Sequence, residues 1–211
     1  MFYDREDAAR QLAKKLERYR GKKPLILAIP RGAVCMAKII ADKLEGEYDV
    51  VLVRKLRAPY QPELAIGSVD ESGWTYLADH AASVGADSNY IANEKAYQLE
   101  TINLRRTQYT PVRPPANPSG RVVIVVDDGL ATGASMISAL HSLHNKTPAK
   151  LVCAVPVAPP GTLARIAEFA DEVVCLESPI EFQSVGQFYV NFPQVEDDEV
   201  INILRNNKES A

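Results

Sequence analysis

One segment, Val122 to Ser135, constrains the fold of this chain more than any other. Its sequence, VVIVVDDGLATGAS, starts with five β-branched residues, continues with two adjacent acids and ends in a turn of small and hydroxyl residues. The β-branched run predicts a buried strand, and a helical pattern follows it. Ligands of open α/β sheets bind at the carboxyl ends of the strands. The segment therefore predicts an α/β fold with a ligand site directly after this strand.

The turn after this strand suits a phosphate group. Small side chains leave room for backbone N–H groups to surround an oxyanion, and the helix that starts near residue 134 adds the positive end of its dipole. Two hydroxyl side chains supply further donors. The residues assigned to this phosphate site are Gly129, Ala131, Thr132, Gly133, Ala134 and Ser135.

The paired acids before the turn require a different ligand group. Asp127 and Asp128 would repel a phosphate, so we expect them to face a neutral polyol or a cation. The hydroxyls of a ribose, together with Mg²⁺ bound directly or through water or substrate, meet both conditions. The pattern thus predicts a ribose-5-phosphate site. The alternative is a turn that only caps the helix, for which two adjacent buried carboxylates would be costly.

Strand and helix patterns alternate along the rest of the chain. The predicted elements are helices at 5–20, 34–45, 88–109, 134–146, 161–170 and about 197–206, strands at 24–29, 49–54, 121–126, 151–155 and 172–176, and a hairpin over 63–78. A proline-rich connection at 110–120 separates the two halves. Repeated strand–helix–strand units predict a doubly wound, mostly parallel sheet with helices on both faces.

Composition places the chain among ordinary globular proteins. Its length of 211 residues predicts one domain over residues 1–211. The 24 Lys and Arg against 27 Asp and Glu give a formal net charge of −3, which argues against a nucleic-acid partner. No apolar run approaches the ~18 residues of a membrane helix, so no membrane partner is expected. The three cysteines are far apart and form no CxxC pair, which favours a reducing, cytoplasmic location.

Residues 123–135 resemble the phosphoribosyl-pyrophosphate motif of the type I phosphoribosyltransferases. That motif is a hydrophobic strand, two acids, two further residues, and then a small residue, Thr, Gly, any residue and Ser or Thr. The one departure is Gly129, where the family prefers an aliphatic residue. The resemblance implies a mostly parallel sheet with one antiparallel strand in a core over about 20–176. It also implies a hairpin and flexible loop over 56–82, a small C-terminal hood over about 177–211 and a homodimer.

The same resemblance assigns roles to further residues. A loop after the first core strand, formed by Arg31, Gly32 and Ala33, would hold the pyrophosphate through backbone N–H groups, and in relatives this loop often contains a strained peptide. Arg31 and Lys55 are the catalytic candidates, because both cations would face the departing pyrophosphate. The hood aromatics would either stack on the acceptor ring or seal the C-terminal segment onto the core. These aromatics are Phe182, Phe188, Tyr189 and Phe192.

The resemblance implies Mg²⁺-dependent transfer of the 5-phosphoribosyl group from phosphoribosyl pyrophosphate to a small nitrogenous acceptor, with release of pyrophosphate. Ala131 stands where the 6-oxopurine enzymes carry an acid, which weakens the case for an oxopurine acceptor. The sequence is also similar to an orphan bacterial branch whose acceptor is unassigned. A non-catalytic regulator of this fold that senses phosphoribosyl pyrophosphate is the alternative. A phosphohydrolase built on Asp127 and Asp128 fits poorly, because its acids would be separated by one residue.

Overall fold

Five parallel strands form the central sheet of the computed structural model, which describes residues 1–205. Numbered in chain order, they are β1 (Leu25–Ala28), β2 (Glu47–Val50), β6 (Val122–Val126), β7 (Lys150–Val157) and β8 (Glu172–Glu177). Their order in the sheet is β2-β1-β6-β7-β8, and all four pairings are parallel. The chain thus winds outward in both directions from the β1–β6 pair, which confirms the doubly wound arrangement.

Helices cover both faces of this sheet, as expected. The helices α1 (Arg5–Lys15) and α2 (Val34–Leu44) pack on one face, together with the alternate strand residues Ile124 and Val126. The helices α4 (Ala134–His144) and α5 (Pro160–Ile166) pack on the other face with Val123 and Val125. Burial on both sides explains why these strands are continuous apolar runs.

A separate antiparallel sheet lies beside the core. It consists of β3 (Val53–Arg57), β4 (Ala65–Asp70) and β5 (Thr75–Leu77), so the antiparallel pairing implied by the resemblance occurs here rather than within the parallel sheet. The predicted hairpin is confirmed as β4 and β5. The long helix α3 (Ser88–Tyr109) packs on β3 and matches its predicted bounds. Buried Ser68 joins β4 to α4 by hydrogen bonds to the Ala134 carbonyl and Ser138.

The single strand expected over 49–54 is wrong, because the chain changes sheet within it. Val51 makes the last backbone bond to β1, donating to the Ala28 carbonyl at 3.0 Å. Val53 then pairs with Asp70 in the antiparallel sheet. The run is apolar throughout its middle and contains no glycine or proline, so no residue marks the change.

The region predicted as the hood receives residues from both ends of the described chain, and residues 206–211 of the prediction lie outside the described residues. Its main part, residues 178–196, is irregular apart from one 3₁₀ turn at Val185–Phe188, and the final helix α6 (Asp197–Arg205) packs on α2. Residues 1–3 pair with it: the Phe2 N–H donates to the Phe188 carbonyl at 2.8 Å and the Val190 N–H to the Phe2 carbonyl at 2.9 Å. The helix predicted at 197–206 is thus confirmed to Arg205, and residue 206 lies outside the described residues.

Two helices end well before the predicted residue. The first helix stops at Lys15 and continues as a separate 3₁₀ turn at Glu17–Tyr19, and α5 ends at Ile166 rather than near 170. Within residues 1–205, no helix combines the length and the hydropathy needed to cross a membrane.

Candidate active site

The predicted phosphate and pyrophosphate loops lie side by side at the centre of the parallel sheet. β1 and β6 are neighbours, with Ala28 opposite Val126, so the loops that follow them leave the same edge together. From this pair the chain turns outward through β2 on one side and through β7 and β8 on the other. Open α/β sheets bind ligands at such a switch point, beyond the carboxyl ends of the strands.

The loop after β6 presents unused backbone N–H groups at the start of α4. Those of Ala131, Thr132 and Gly133 donate to no other residue in the described range 1–205. Two carbonyls of this loop accept hydrogen bonds from α5. Thr162 Oγ1 donates to the Ala131 carbonyl at 2.7 Å, and Arg165 donates to the Thr132 carbonyl at 3.1 Å. Gly133, with φ of 76°, adopts the left-handed conformation that glycine tolerates best. The loop therefore offers donors to an anion, as a phosphate site requires.

The two acids emerge half-buried at the end of β6. Asp127 Oδ1 accepts the N–H of Asp128 at 2.9 Å, and Asp128 Oδ2 accepts Arg5 Nε at 2.8 Å. Burial and the neighbouring Asp128 raise the pKa of Asp127 well above its usual range. Burial also raises the pKa of Asp128, and the charge of Arg5 opposes that rise. The pair is thus short of positive charge and suited to a cation or to hydroxyl donors.

Arg5 was not predicted from the sequence but belongs to the site. Its side chain is only 10% exposed and joins three parts of the site. Besides its bond to Asp128, Nη1 donates to the Pro193 carbonyl at 2.7 Å, and the guanidinium lies 3.8 Å from the centre of the Phe192 ring. One signal was available in the sequence, because a cation in the first turn of a helix opposes the helix dipole and implies an acidic partner elsewhere.

The loop after β1 contains the predicted pyrophosphate residues. The N–H groups of Arg31, Gly32 and Ala33 donate to nothing in the described part of the chain, and the Pro30–Arg31 peptide is cis. A side chain at Gly32 would place its Cβ 2.3 Å from Asp128 Oδ2, so only glycine fits without a shift of its neighbours. Ala33 is buried below the loop.

The Arg31 side chain already has acidic partners in this structure. Its Nη1 lies 2.9 Å from Glu196 Oε2 and 3.6 Å from Asp197 Oδ2. Asp197 is also held by Arg105 at 3.3 Å and by the Tyr109 hydroxyl at 2.7 Å. Acidic residues at the start of α6 therefore form ion pairs with Arg31, the cation that the sequence analysis assigned to pyrophosphate.

The strand β3 adds three basic side chains from the other side. Arg54 Nε donates to Gln98 at 2.9 Å, and Arg57 Nε donates to Glu94 at 3.1 Å. Lys55 is exposed and makes no ion pair or hydrogen bond within residues 1–205. Lys55 lies in the antiparallel sheet rather than at the end of a core strand. It still faces Asp127 and Asp128, and its positive charge opposes the rise in the pKa of both.

These groups surround one cleft of about 880 Å³. The predicted site residues that line it are Arg31, Gly32, Lys55, Asp127, Asp128, Gly129, Ala131 and Ser135. A small adjoining cavity reaches Thr132, Gly133 and Ala134. The structure thus brings the two loops, the acids and the basic strand to a single opening.

The departure at Gly129 has a local cause. A Cβ at this position would lie 2.6 Å from a methyl group of Val185 and 3.0 Å from one of Val157. Val185 belongs to the hood and also lines the cleft. The hood therefore packs directly on the motif backbone, where an aliphatic side chain would otherwise stand.

The hood aromatics mainly contact one another. Phe182 and Phe188 pair with ring centroids 5.2 Å apart, and neither lines the cleft. Tyr189 is buried between Phe2 at 5.5 Å and Phe192 at 4.7 Å, and its hydroxyl donates to the Asp128 carbonyl at 2.6 Å. Of the four, only Phe192 reaches the cleft, so the arrangement favours the sealing role over stacking on an acceptor.

Comparisons with known proteins agree with this geometry. A family model described as a phosphoribosyl transferase domain matches residues 2–192. Two Mycobacterium tuberculosis proteins with a provisional phosphoribosyl transferase name are 41% identical over 206 residues, covering 97% of this chain and 46% of each relative, so the chain spans about half their length.

Solved structures share this fold. The protein TT1426 from Thermus thermophilus is 43% identical and superimposes with a TM-score of 0.80, covering 97% of this chain and 98% of that one. A purine phosphoribosyltransferase from Pyrococcus horikoshii shares the fold at 15% identity and a TM-score of 0.50, over 91% and 93% of the two chains. By sequence, fold and site, the chain belongs to the phosphoribosyl transferase domain family.

Proposed function

We propose that this protein transfers the 5-phosphoribosyl group from phosphoribosyl pyrophosphate to a small nitrogenous acceptor, with Mg²⁺ and with release of pyrophosphate. One observation carries the proposal: two loops with unused N–H groups flank two acids in a single cleft of about 880 Å³. An anion at each loop and a polyol at the acids reproduce the order of groups in phosphoribosyl pyrophosphate.

Each end of the donor would have its own set of contacts. The 5′-phosphate would accept hydrogen bonds from the backbone at 131–133 and from Ser135 at the start of α4. The ribose hydroxyls would donate to Asp127 and Asp128. The pyrophosphate would lie at residues 31–33, where the N–H groups and nearby cations neutralise its charge.

The acids suit a magnesium ion that the substrate helps to hold. Among the described residues, no group of three or more His, Cys, Asp or Glu could bind a metal unaided. Mg²⁺ commonly takes one or two carboxylates and completes its shell with water and phosphate oxygens, so Asp127 and Asp128 fit it. When bound, the ion would neutralise charge on the pyrophosphate as that group departs.

The reaction needs positioning more than a protein nucleophile. The bond between C1 of the ribose and the pyrophosphate oxygen breaks, and the acceptor nitrogen forms the new bond to C1. The transition state resembles an oxocarbenium ion, so the protein's contribution is to align the two reactants and to stabilise the leaving group. Lys55, exposed and unpaired within residues 1–205, is the cation best placed to meet that charge.

A pyrophosphate-release screen tests the proposal. The protein is incubated with phosphoribosyl pyrophosphate, Mg²⁺ and a panel of purine, pyrimidine and other nitrogenous acceptors, and Lys55→Ala serves as the matched inactive control. Release that depends on an acceptor and falls in the control supports the transferase. Calorimetric binding of the donor without release for any acceptor would favour the regulator instead, and no binding at all would contradict both. The homodimer and the cytoplasmic location stay predictions, and light scattering on the purified protein tests the first.

A further inference from the structure

Arg5 is the one deeply buried cation of the cleft among the described residues, and the family motif does not contain it. It lies more than a hundred residues before the acids in the chain, in the first turn of α1. Its guanidinium is nevertheless part of the cleft wall, beside the pyrophosphate loop. A cation buried to this degree requires partners that compensate for its lost hydration.

Two of its three nitrogens have such partners. Nε donates to Asp128 Oδ2 at 2.8 Å and Nη1 to the Pro193 carbonyl at 2.7 Å. Nη2 donates to no residue in the described range. It lies beside Gly32, where an added Cβ would be 3.1 Å from it.

The free nitrogen therefore points at the loop that the proposed function assigns to pyrophosphate. Residues 31–33 contribute unused N–H groups on the same side. A second cavity of about 340 Å³ is lined by Arg5, Arg31 and Gly32 together with residues 192–195 of the hood. Glu196 and Asp197 hold Nη1 of Arg31, and the unpartnered Nη2 of Arg5 adds a buried donor beside the same loop.

We infer that Arg5 is a pyrophosphate-binding residue, whose Nη2 donates to a phosphate oxygen at residues 31–33 while Nε holds Asp128 in place. The inference rests on the proposed function and deepens it. The guanidinium of Arg5 then connects Asp128, the loop at residues 31–33 and the hood. A planar donor with several N–H groups suits this bridging role, and a lysine ammonium does not.

Calorimetric titration with two separate probes, Mg²⁺-pyrophosphate and ribose 5-phosphate, tests the inference. Arg5→Gln should weaken pyrophosphate binding at least about tenfold, equal to about 1.4 kcal/mol, and Arg5→Lys should restore only part of it. Ribose 5-phosphate affinity should change by a smaller factor. Arg10→Gln is the control, because Arg10 lies in the same helix, is exposed and pairs only with Glu6 among the described residues.

A second variant guards against misfolding of the first. Gly32→Ala keeps every charge but places a methyl group 2.8 Å from Arg5 Nε and 2.3 Å from Asp128 Oδ2, so the Arg5–Asp128 pair must shift. It too should weaken pyrophosphate binding. Thermal melting establishes that each variant is folded.

The outcomes separate this inference from the proposed function. If the wild-type protein binds pyrophosphate and both variants bind it equally well, Arg5 is not a ligand and only this inference fails. If the variants lose ribose 5-phosphate affinity alone, Arg5 acts through Asp128 and the inference also fails. If the wild-type protein binds neither probe, the proposed function fails with it.

Discussion

At the scale of single residues, an acid beside the cleft would compete with the proposed pyrophosphate for Arg31. Glu196 is exposed, and its carboxylate lies 2.9 Å from Nη1 of Arg31. Exposed ion pairs contribute about 0.2–1 kcal/mol, so the competition is weak but measurable. Under the proposed function, Nη1 of Arg31 would exchange this partner for a phosphate oxygen.

Glu196→Gln should therefore tighten the binding of Mg²⁺-pyrophosphate by about 1.4- to fivefold, the range that this pair energy implies. Isothermal titration calorimetry measures the change. Asp198→Asn is the matched control, because it removes the same charge from α6 at an exposed position for which no ion pair is described. Equal gains in both variants would mean that net charge, rather than the Arg31 contact, sets the affinity.

The two adjacent acids should respond to substitution in the same direction but to different extents. Burial and Asp128 raise the folded-state pKa of Asp127 above its unfolded value. The folded protein then holds the proton more tightly, so this group's contribution to stability is lost as pH rises from the unfolded pKa, about 3.9, through the raised folded pKa. Asp127→Asn should increase the free energy of unfolding at pH 8, and the gain should shrink as the pH falls toward 4.

Asp128→Asn is the counterpart of that variant. Burial raises the pKa of Asp128 as well, but Arg5 at 2.8 Å opposes that rise, so the gain in stability at pH 8 should be smaller than for Asp127→Asn. Both variants should lose about tenfold or more in affinity for phosphoribosyl pyrophosphate. Urea denaturation at several pH values, together with calorimetry, measures both effects. A loss of stability in Asp127→Asn would show that the buried charge is compensated in the folded state.

At the scale of elements, α5 determines which way the phosphate loop faces. The Thr162 hydroxyl pulls the Ala131 carbonyl back at 2.7 Å, and this leaves the N–H groups of the loop free for an anion. No signal in the sequence connects these two residues, because the contact depends on how α5 packs beside α4. The N–H donors belong to residues 131–133, and α5, which lies outside that segment, orients them.

Thr162→Val should weaken ribose 5-phosphate binding about three- to tenfold, because the loop loses the bond that orients it. The volume is conserved, so the free energy of unfolding should fall by only about 0.5–1.5 kcal/mol, the net value of one hydrogen bond. Thr162→Ser keeps the hydroxyl and should bind like the wild type. Calorimetry with ribose 5-phosphate distinguishes the variants, and equal affinity in Val and Ser would remove α5 from the site.

At the scale of the whole molecule, the sequence predicted what is contiguous and missed what is distant. Asp127 to Ser135 are contiguous in the chain, so the sequence pattern of this segment predicts the ligand groups that it could bind. The parallel sheet is predicted by the repeated apolar strands. Arg5 and Thr162 reach the site only through tertiary packing of α1 and α5. The change of sheet after Val51 also escaped prediction, since a strand buried in either sheet has the same apolar pattern.

The hood links both ends of the described chain to the acids of the site. Phe2, 1% exposed, pairs with the backbone at 188–190 and packs on Tyr189, whose hydroxyl donates to the Asp128 carbonyl. Phe2→Ala should lower the free energy of unfolding by about 3–5 kcal/mol, the usual cost of removing a buried phenyl ring. The hood should also become more sensitive to protease.

Two control variants separate packing from the link to the site. Tyr3→Ala changes a neighbouring residue that is 64% exposed, and it should alter stability by no more than about 0.5 kcal/mol. Tyr189→Phe keeps the ring but removes the hydroxyl that reaches Asp128, so it should affect donor binding more than stability. Urea denaturation, limited proteolysis and calorimetry give the three readouts. If Phe2→Ala lost stability but retained full affinity for phosphoribosyl pyrophosphate, the hood would only cover the core and would not hold Asp128 in position.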